Sequence, residues 1–484
     1  MLDARMAPSR DGCSRPAATG RPARRQRVLM ITYDFPPPPT MAGETCAQIA
    51  RYLPLHGWDP VVLAARHGED RTAPSDGLLP SEVIRAGELP HPIFIYKRLV
   101  ARSRPSTGRG ANGTPAPGPG SDLKRWVLSM LQVPDTCTGW IPPAVLAGLR
   151  AIRRHQVTQL FSASPHSTGH LVGLALARLS GLPWTAQFQD PWTYPRAQWR
   201  ESKPLSALSA RLETALERVV VRRANVVACV TERHRLWLRH VHPDVRDEKL
   251  VTIPNGFDGA EWERVDEELR RVEPRSRDRF LVTYAGNLYH RRSPLPLFRA
   301  LSSLLDSGHV ARERVQVDLL GHCDVAGGTS VSAMAEACGL AGSVTITGPL
   351  GRMEALRRVA RSDLLLLLAE GLTQQIPGKT YEYLRTGQPI LALTGEGATA
   401  DLLSRTGGAW VVDPGDLAGV AAAVLEAYRR WQDGRPGPTP DPEVVAGFDR
   451  RVLCGQFAAA FERVAAGLNP RGEGLTTCAA SPAR

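Results

Sequence analysis

The chain has 484 residues, 43% of them hydrophobic and 22% charged, with a formal net charge of +12 and eight scattered cysteines. That length predicts two large domains rather than one core. The basic excess favours an anionic partner, and the absence of CxxC pairs argues against a zinc or disulfide framework and for a reducing cytoplasm.

Residues 1–26 contain several arginines, lack the apolar centre of a signal peptide, and read as a disordered basic tail or as a misassigned start upstream of the true one. Residues 27–35 (RVLMITYDF) read as a buried strand. A proline run follows, then a loop holding Gly43, then an amphipathic helix from about 44 to 56. Strand, glycine-bearing loop and helix open a doubly wound domain. Gly43 stands without the other glycines of GxGxxG, which disfavours a dehydrogenase. Residues 58–65 give a second strand. Residues 103–121, rich in Pro, Gly, Ser and Thr, are expected to be a flexible insertion. The alternation then resumes with a helix at 143–155, a strand at 158–165 and a helix at 166–181 that starts near His166 and carries His170 one turn on. A strand at 183–192 ends in Asp190-Pro191-Trp192. A helix at 206–223 and a strand at 224–231 follow, with Thr231 capping the next helix, and a strand at 249–253 precedes the Asn255-Gly256 turn.

Residues 261–279 are highly charged without an apolar stripe and are assigned as the linker between a first domain, 27–260, and a second, 280–443. The second domain opens with a strand that ends at a Gly286-Asn287 loop and a helix at 294–305. Short apolar strands then recur at 315–321, 344–348, 363–369, 390–394 and 410–413. Such alternation predicts parallel sheets covered on both faces. The expected fold class is therefore α/β, with two doubly wound, Rossmann-like domains facing across a cleft. Residues 444–468 predict a final amphipathic helix that crosses back to the first domain, and 469–484 a disordered tail.

Residues 374–393 (QQIPGKTYEYLRTGQPILAL) are the most informative stretch. Pro377 and Gly378 open a helix, Tyr381, Tyr383 and Leu384 form its buried side, and Gly387 closes it before a buried strand. A helix N-terminus after a strand suits phosphate, and Lys379 adds a charge there. Glu382 can accept hydrogen bonds from sugar hydroxyls, or pair with Arg385 or Arg358 on the helix surface.

With YDFPPPPTMAGETCAQIARYLPLHGW, SASPHSTGHLVGLALARLSGLPWTAQFQDPW, TIPNGFD and YAGNLYHRRSPLPLF in order before IPGKTYEYLRTGQPILAL, the chain resembles GT-B glycosyltransferases, and glycosyltransferase family 4 in particular. The resemblance covers about 27–467 outside the insertion. It implies that Glu382 is the second Glu of the family's Glu-x7-Glu motif and binds the donor ribose. The first Glu falls at Gln374, a departure that leaves the donor open but not the fold. Arg292 matches a phosphate-contacting Lys, and Asn287 stands where many members have Arg. Gly286, Gly378 and Lys379 complete the expected donor site. Gly43 matches the loop that admits donor phosphate and acceptor. His166 and His170 both lie near the catalytic-region histidine, and the resemblance does not choose between them. Asp190 either binds acceptor hydroxyls or forms a plain Asx turn, and Trp192 either stacks on a sugar or packs.

No Asp-x-Asp is placed on a strand end, so neither metal nor other cofactor is expected. Family members retain anomeric configuration. The resemblance implies a nucleotide-sugar donor and a sugar, lipid-linked or small-molecule acceptor. The basic surface adds an expected peripheral contact with anionic membrane, and no nucleic-acid reading motif is present. The alternatives are a GT-B nucleotide-sugar 2-epimerase and a catalytically inactive GT-B-like binding subunit.

Overall fold

The computed structural model describes residues 26–38, 40–67, 82–91, 121–194, 206–289 and 292–467. The expected tails and insertion lie outside these residues, except that Gln26 starts a strand and Ser121 a helix.

The first sheet is built from β1 (Gln26–Ile31), β2 (Trp58–Ala65), β3 (Val83–Ala86), β4 (Gln159–Ala163), β5 (Trp184–Phe188), β6 (Val226–Cys229) and β7 (Leu250–Thr252). Its order among the described residues is β3-β2-β1-β4-β5-β6-β7, every pair parallel. The second contains β8 (Phe280–Ala285) and β9 (Val315–Leu320). After a small hairpin, β10 (Val325–Ala326) and β11 (Thr329–Ser330), come β12 (Val344–Gly348), β13 (Leu364–Leu368), β14 (Ile390–Leu393) and β15 (Ala409–Val412). Its order is β12-β9-β8-β13-β14-β15, again all parallel. Strands buried on both faces need apolar side chains throughout, and β13 reads LLLLL with every residue buried. The order reverses between β1 and β4 and between β8 and β13. Crevices for ligands open at the carboxyl ends of strands at such points, so the segments after β1, β4, β8 and β13 are placed to build a site.

The assigned linker is more structured than its charge suggests. Residues Gly259–Arg270 form a helix capped by Asp258, whose side chain accepts from the Ala260 and Glu261 amides. Trp262 and Val265 are buried in the core against Leu365 and Leu384 of the second half. The charged positions pair with that half through Arg385–Asp266 and Arg357–Glu268, both 2.6 Å. Those pairs explain why no wide apolar stripe is legible. The expected helix at 444–468 is two helices, Pro442–Ala446 and Arg450–Ala465, and Asp449 caps the second. The second crosses back to the first sheet. Its Phe457 and Phe461 rings lie 5.3 and 6.0 Å from that of Phe161, and Phe461 lies 5.1 Å from Trp58. Strand β3 and the helix Ser121–Leu131 carry too weak a pattern to be read from sequence.

Removing the Phe461 ring leaves a cavity where the crossing helix meets the first sheet. Phe461→Ala should cost about 3–5 kcal/mol, read as a lower denaturation midpoint in urea. An unchanged midpoint would show that this helix does not carry the first core.

Candidate active site

The second half presents a buried cation. Gly286 follows β8 with φ +132°, and its amide donates to the Leu320 carbonyl at 2.7 Å. A Cβ at Gly286 would collide with Lys379 Nζ, so glycine here makes room for the ammonium. That ammonium lies 3.9 Å from the centre of the Tyr284 ring and is buried with no hydrogen-bond partner among the described residues. Burial, and then the charge of Arg292, lowers its pKa to about 7. The Arg292 guanidinium lies 4.2 Å over the Tyr289 ring. The Asn287 side chain fixes the loop by accepting from the His322 amide at 3.1 Å, while its carbonyl accepts from the Tyr284 hydroxyl at 2.9 Å.

Lys379 is the first residue of the helix Lys379–Thr386, which Gly387 closes at φ 72° as expected. Gly378 precedes it with no side-chain cap. Across the cleft Gly378 faces Met41, the exposed first residue of the helix Met41–Tyr52; a Cβ on Gly378 would stand 3.6 Å from Met41 Sδ. Gln374 Oε1 and Thr380 Oγ1 are buried without partners. Lys379 Nζ, Gln374 Oε1 and Thr380 Oγ1 thus lie within seven residues with hydrogen-bonding capacity that a ligand can take up. Glu382 pairs with neither Arg385 nor Arg358. Its Oε1 accepts from Arg352 at 2.7 Å, and Arg352 also donates to Glu261 at 2.9 Å.

The first half closes over the same loop. Tyr194 Oη lies 3.0 Å from Thr373 Oγ1, and Thr231 Oγ1 donates to the Gln374 carbonyl at 2.7 Å. Asp190 accepts from Gln375 Nε2, so its carboxylate anchors this loop rather than forming a plain Asx turn. Trp192 is half-buried against the first core. Gly43 has an internal reason to be glycine: a Cβ there would meet Thr40 Oγ1, the helix cap, at 2.8 Å and the Phe35 backbone at 3.4 Å. Close packing at the helix start is therefore a reason for glycine here besides clearing a path for ligand.

The two histidines separate cleanly. His170 is fully buried, accepts or donates at Nδ1 to Ser162 Oγ at 2.9 Å, and stacks on Phe188 at 4.5 Å. Burial lowers its pKa to about 3. It is a neutral core residue, and its place in the candidate set is corrected accordingly. His166 lies at the end of β4, partly exposed, with Nε2 3.4 Å from Asp34 Oδ2 and Nδ1 3.4 Å from Cys137 Sγ. Burial works against its charge, but hydrogen bonds to Asp34 and Cys137 outweigh it and raise the pKa to about 10. The imidazole is therefore a cation at neutral pH. His166, Cys137 and Asp135 are close enough to share a metal ion. Asp135 is, however, already engaged by Thr168 Oγ1, the Thr168 amide and the Cys137 amide at 2.6, 2.9 and 2.9 Å.

Two doubly wound sheets with their carboxyl ends on one cleft, and a C-terminal helix returning to the first, define the fold. It is the GT-B fold. Residues 113–261 match the model for Glycosyltransferase Family 4. Among solved structures, sucrose-phosphate synthase from Thermosynechococcus elongatus aligns at 14% identity and a TM-score of 0.62, covering 92% of this chain and 100% of that one. HepE from Anabaena, in complex with UDP-glucose, aligns at 14% identity and 0.54, covering 91% and 100%. A protein described as a UDP-N-acetylglucosamine 2-epimerase from Listeria monocytogenes aligns at 12% and 0.50, covering 93% and 99%. No curated protein matches the chain. In this GT-B frame the sequence leaves Arg352, Tyr194 and Asp34 unmarked. Asp34 alone had a signal, its place at the end of the segment read as the first strand.

His170 holds a pKa of about 3 in the fold against 6.5 in the open chain. The unfolded chain therefore binds the proton first as pH falls. Its contribution is complete above pH 6.5 and declines toward pH 3 by up to about 1.4 kcal/mol per pH unit. In His170→Gln this dependence is absent, so the stability gap to wild type should narrow between pH 7 and pH 5. A constant gap would show that His170 is not held neutral.

Proposed function

We propose that the protein transfers a glycosyl unit from a nucleotide-sugar to an acceptor hydroxyl, with retention and without a metal at the diphosphate. The observation that carries this reading is the buried, unpartnered Lys379 ammonium, set at a helix N-terminus beside the Gly286 loop. Arg292 supplies a second charge. Together they stabilise the diphosphate as negative charge grows on it. Glu382 accepts the ribose hydroxyls, and the unpartnered Gln374 Oε1 takes a hydroxyl of the donor sugar. Solved GT-B structures of HepE hold UDP and UDP-glucose, which supports this donor class.

The contacts to Asp34 and Cys137 favour the charged form of His166, which makes it a poor base near neutral pH. The acceptor oxygen bonds to the anomeric carbon on the face from which the diphosphate leaves. The carbon–oxygen bond to the diphosphate breaks, and the acceptor proton passes to the departing diphosphate oxygen. The acceptor is a sugar, a lipid-linked or a small molecule, in polysaccharide, glycolipid or secondary-metabolite biosynthesis. Among the described residues no helix is long and apolar enough to cross a membrane. A lipid-linked acceptor would be met through the basic surface.

Titration with UDP, GDP and dTDP tests the donor site. Arg352 already occupies one lone pair of Glu382, yet Glu382→Ala should still weaken the best of these nucleotides by about ten- to a hundredfold. Glu382→Gln should lose less, with both variants melting near wild type. Equal affinities in all three proteins would remove Glu382 from the donor site.

A further inference from the structure

Arg352 is out of place by local rules. It is the first residue of the helix Arg352–Ala360, where the positive end of the helix dipole disfavours a cation and Gly351 offers no side-chain cap. Two carboxylates hold it there. Its guanidinium donates to Glu382 Oε1 at 2.7 Å and to Glu261 Oε2 at 2.9 Å. Burial works against its charge, and Glu382 and Glu261 more than compensate, raising its pKa above that of an ordinary arginine. Glu261 belongs to the helix Gly259–Arg270 that joins the two halves. The cap of that helix, Asp258, is fully buried and bonds to Arg51 at 2.8 Å and to Tyr52 at 2.5 Å. Those two residues end the helix that begins at Met41, opposite Gly378.

We propose that Arg352 is a positioning residue for donor binding: it fixes Glu382 from the joining helix, so that affinity for the nucleotide depends on Arg352 and Glu261, which need not touch it. The inference rests on the assignment of Glu382 to the donor site. One carboxylate oxygen is tied back by the guanidinium, which holds the side chain in one orientation. The other oxygen takes no hydrogen bond among the described residues and is left for the ribose. A carboxylate preset in this way loses less freedom when the hydroxyls arrive.

The test is a double-mutant cycle read by nucleotide titration, with UDP, GDP and dTDP as probes and melting curves alongside. Arg352→Met should weaken the best probe about tenfold, a 1.4 kcal/mol effect. It should weaken it no further in a Glu382→Ala background, because the two residues act as one unit. Arg352→Lys keeps a charge but cannot fork to both carboxylates, and should restore part of the loss. Glu261→Gln, on a separate helix, should cost about threefold and covers the case in which Arg352→Met fails to fold. If Glu382→Ala weakens binding while Arg352→Met and Glu261→Gln do not, this inference fails and the donor site stands. It fails equally if the losses simply add. If Glu382→Ala binds like wild type, the donor-site assignment fails and takes this inference with it.

Discussion

The arrangement depends on one ammonium group kept from water without a partner. Lys379 Nζ lies against the face of Tyr284, in space that only a glycine at position 286 leaves open. An isolated buried charge is costly, and the protein answers by lowering its pKa to about 7 rather than by supplying a carboxylate. Glu382, the nearest acidic residue in sequence, is already tied to Arg352. The group is thus poised near neutrality, partly protonated and without a counter-ion. A diphosphate would bring the counter-ion.

The rest of the architecture follows from holding that site between two halves. The segment 373–375 belongs to the second half but is gripped by Tyr194, Thr231 and Asp190 of the first. A further ion pair, Arg233 to Asp401 at 2.8 Å, spans the same divide. On the opposite side the joining helix and the returning C-terminal helix fasten the halves through Asp258 and through the Phe457 and Phe461 rings. The two halves are therefore joined at the cleft loops and, on the opposite side, by packed aromatic side chains. An exposed pair such as Arg233–Asp401 adds little stability.

Much of this was legible in the sequence where a local rule and the tertiary need coincide. Residues 374–393 read correctly because helix opening, αL closure at Gly387 and a doubly buried strand each have a residue signature. The parallel sheets were legible because strands covered on both faces are apolar throughout. The joining helix was not, since its hydrophobic contact is confined to a few residues such as Trp262 and Val265 while its acidic positions are spent on ion pairs across the interface. His166 and His170 could not be told apart in one dimension. Four residues separate a protonated side chain beside Asp34 from a neutral one stacked on Phe188. Arg352 was invisible for the opposite reason: it violates the helix-dipole preference, and its two partners lie 91 and 30 residues away.

The most direct measurement is calorimetric titration of the best-binding nucleoside diphosphate at pH 8 in two buffers of different ionisation enthalpy. At that pH a lysine with a pKa of about 7 is mostly neutral. If the diphosphate docks on Lys379, it restores the charge, and binding takes up close to one proton from the buffer. The uptake should shrink toward pH 6, where the amine is already charged, and vanish in Lys379→Met. Binding that takes up no proton at pH 8 in the wild-type protein would contradict the account, in which the diphosphate meets a Lys379 amine whose pKa burial has lowered.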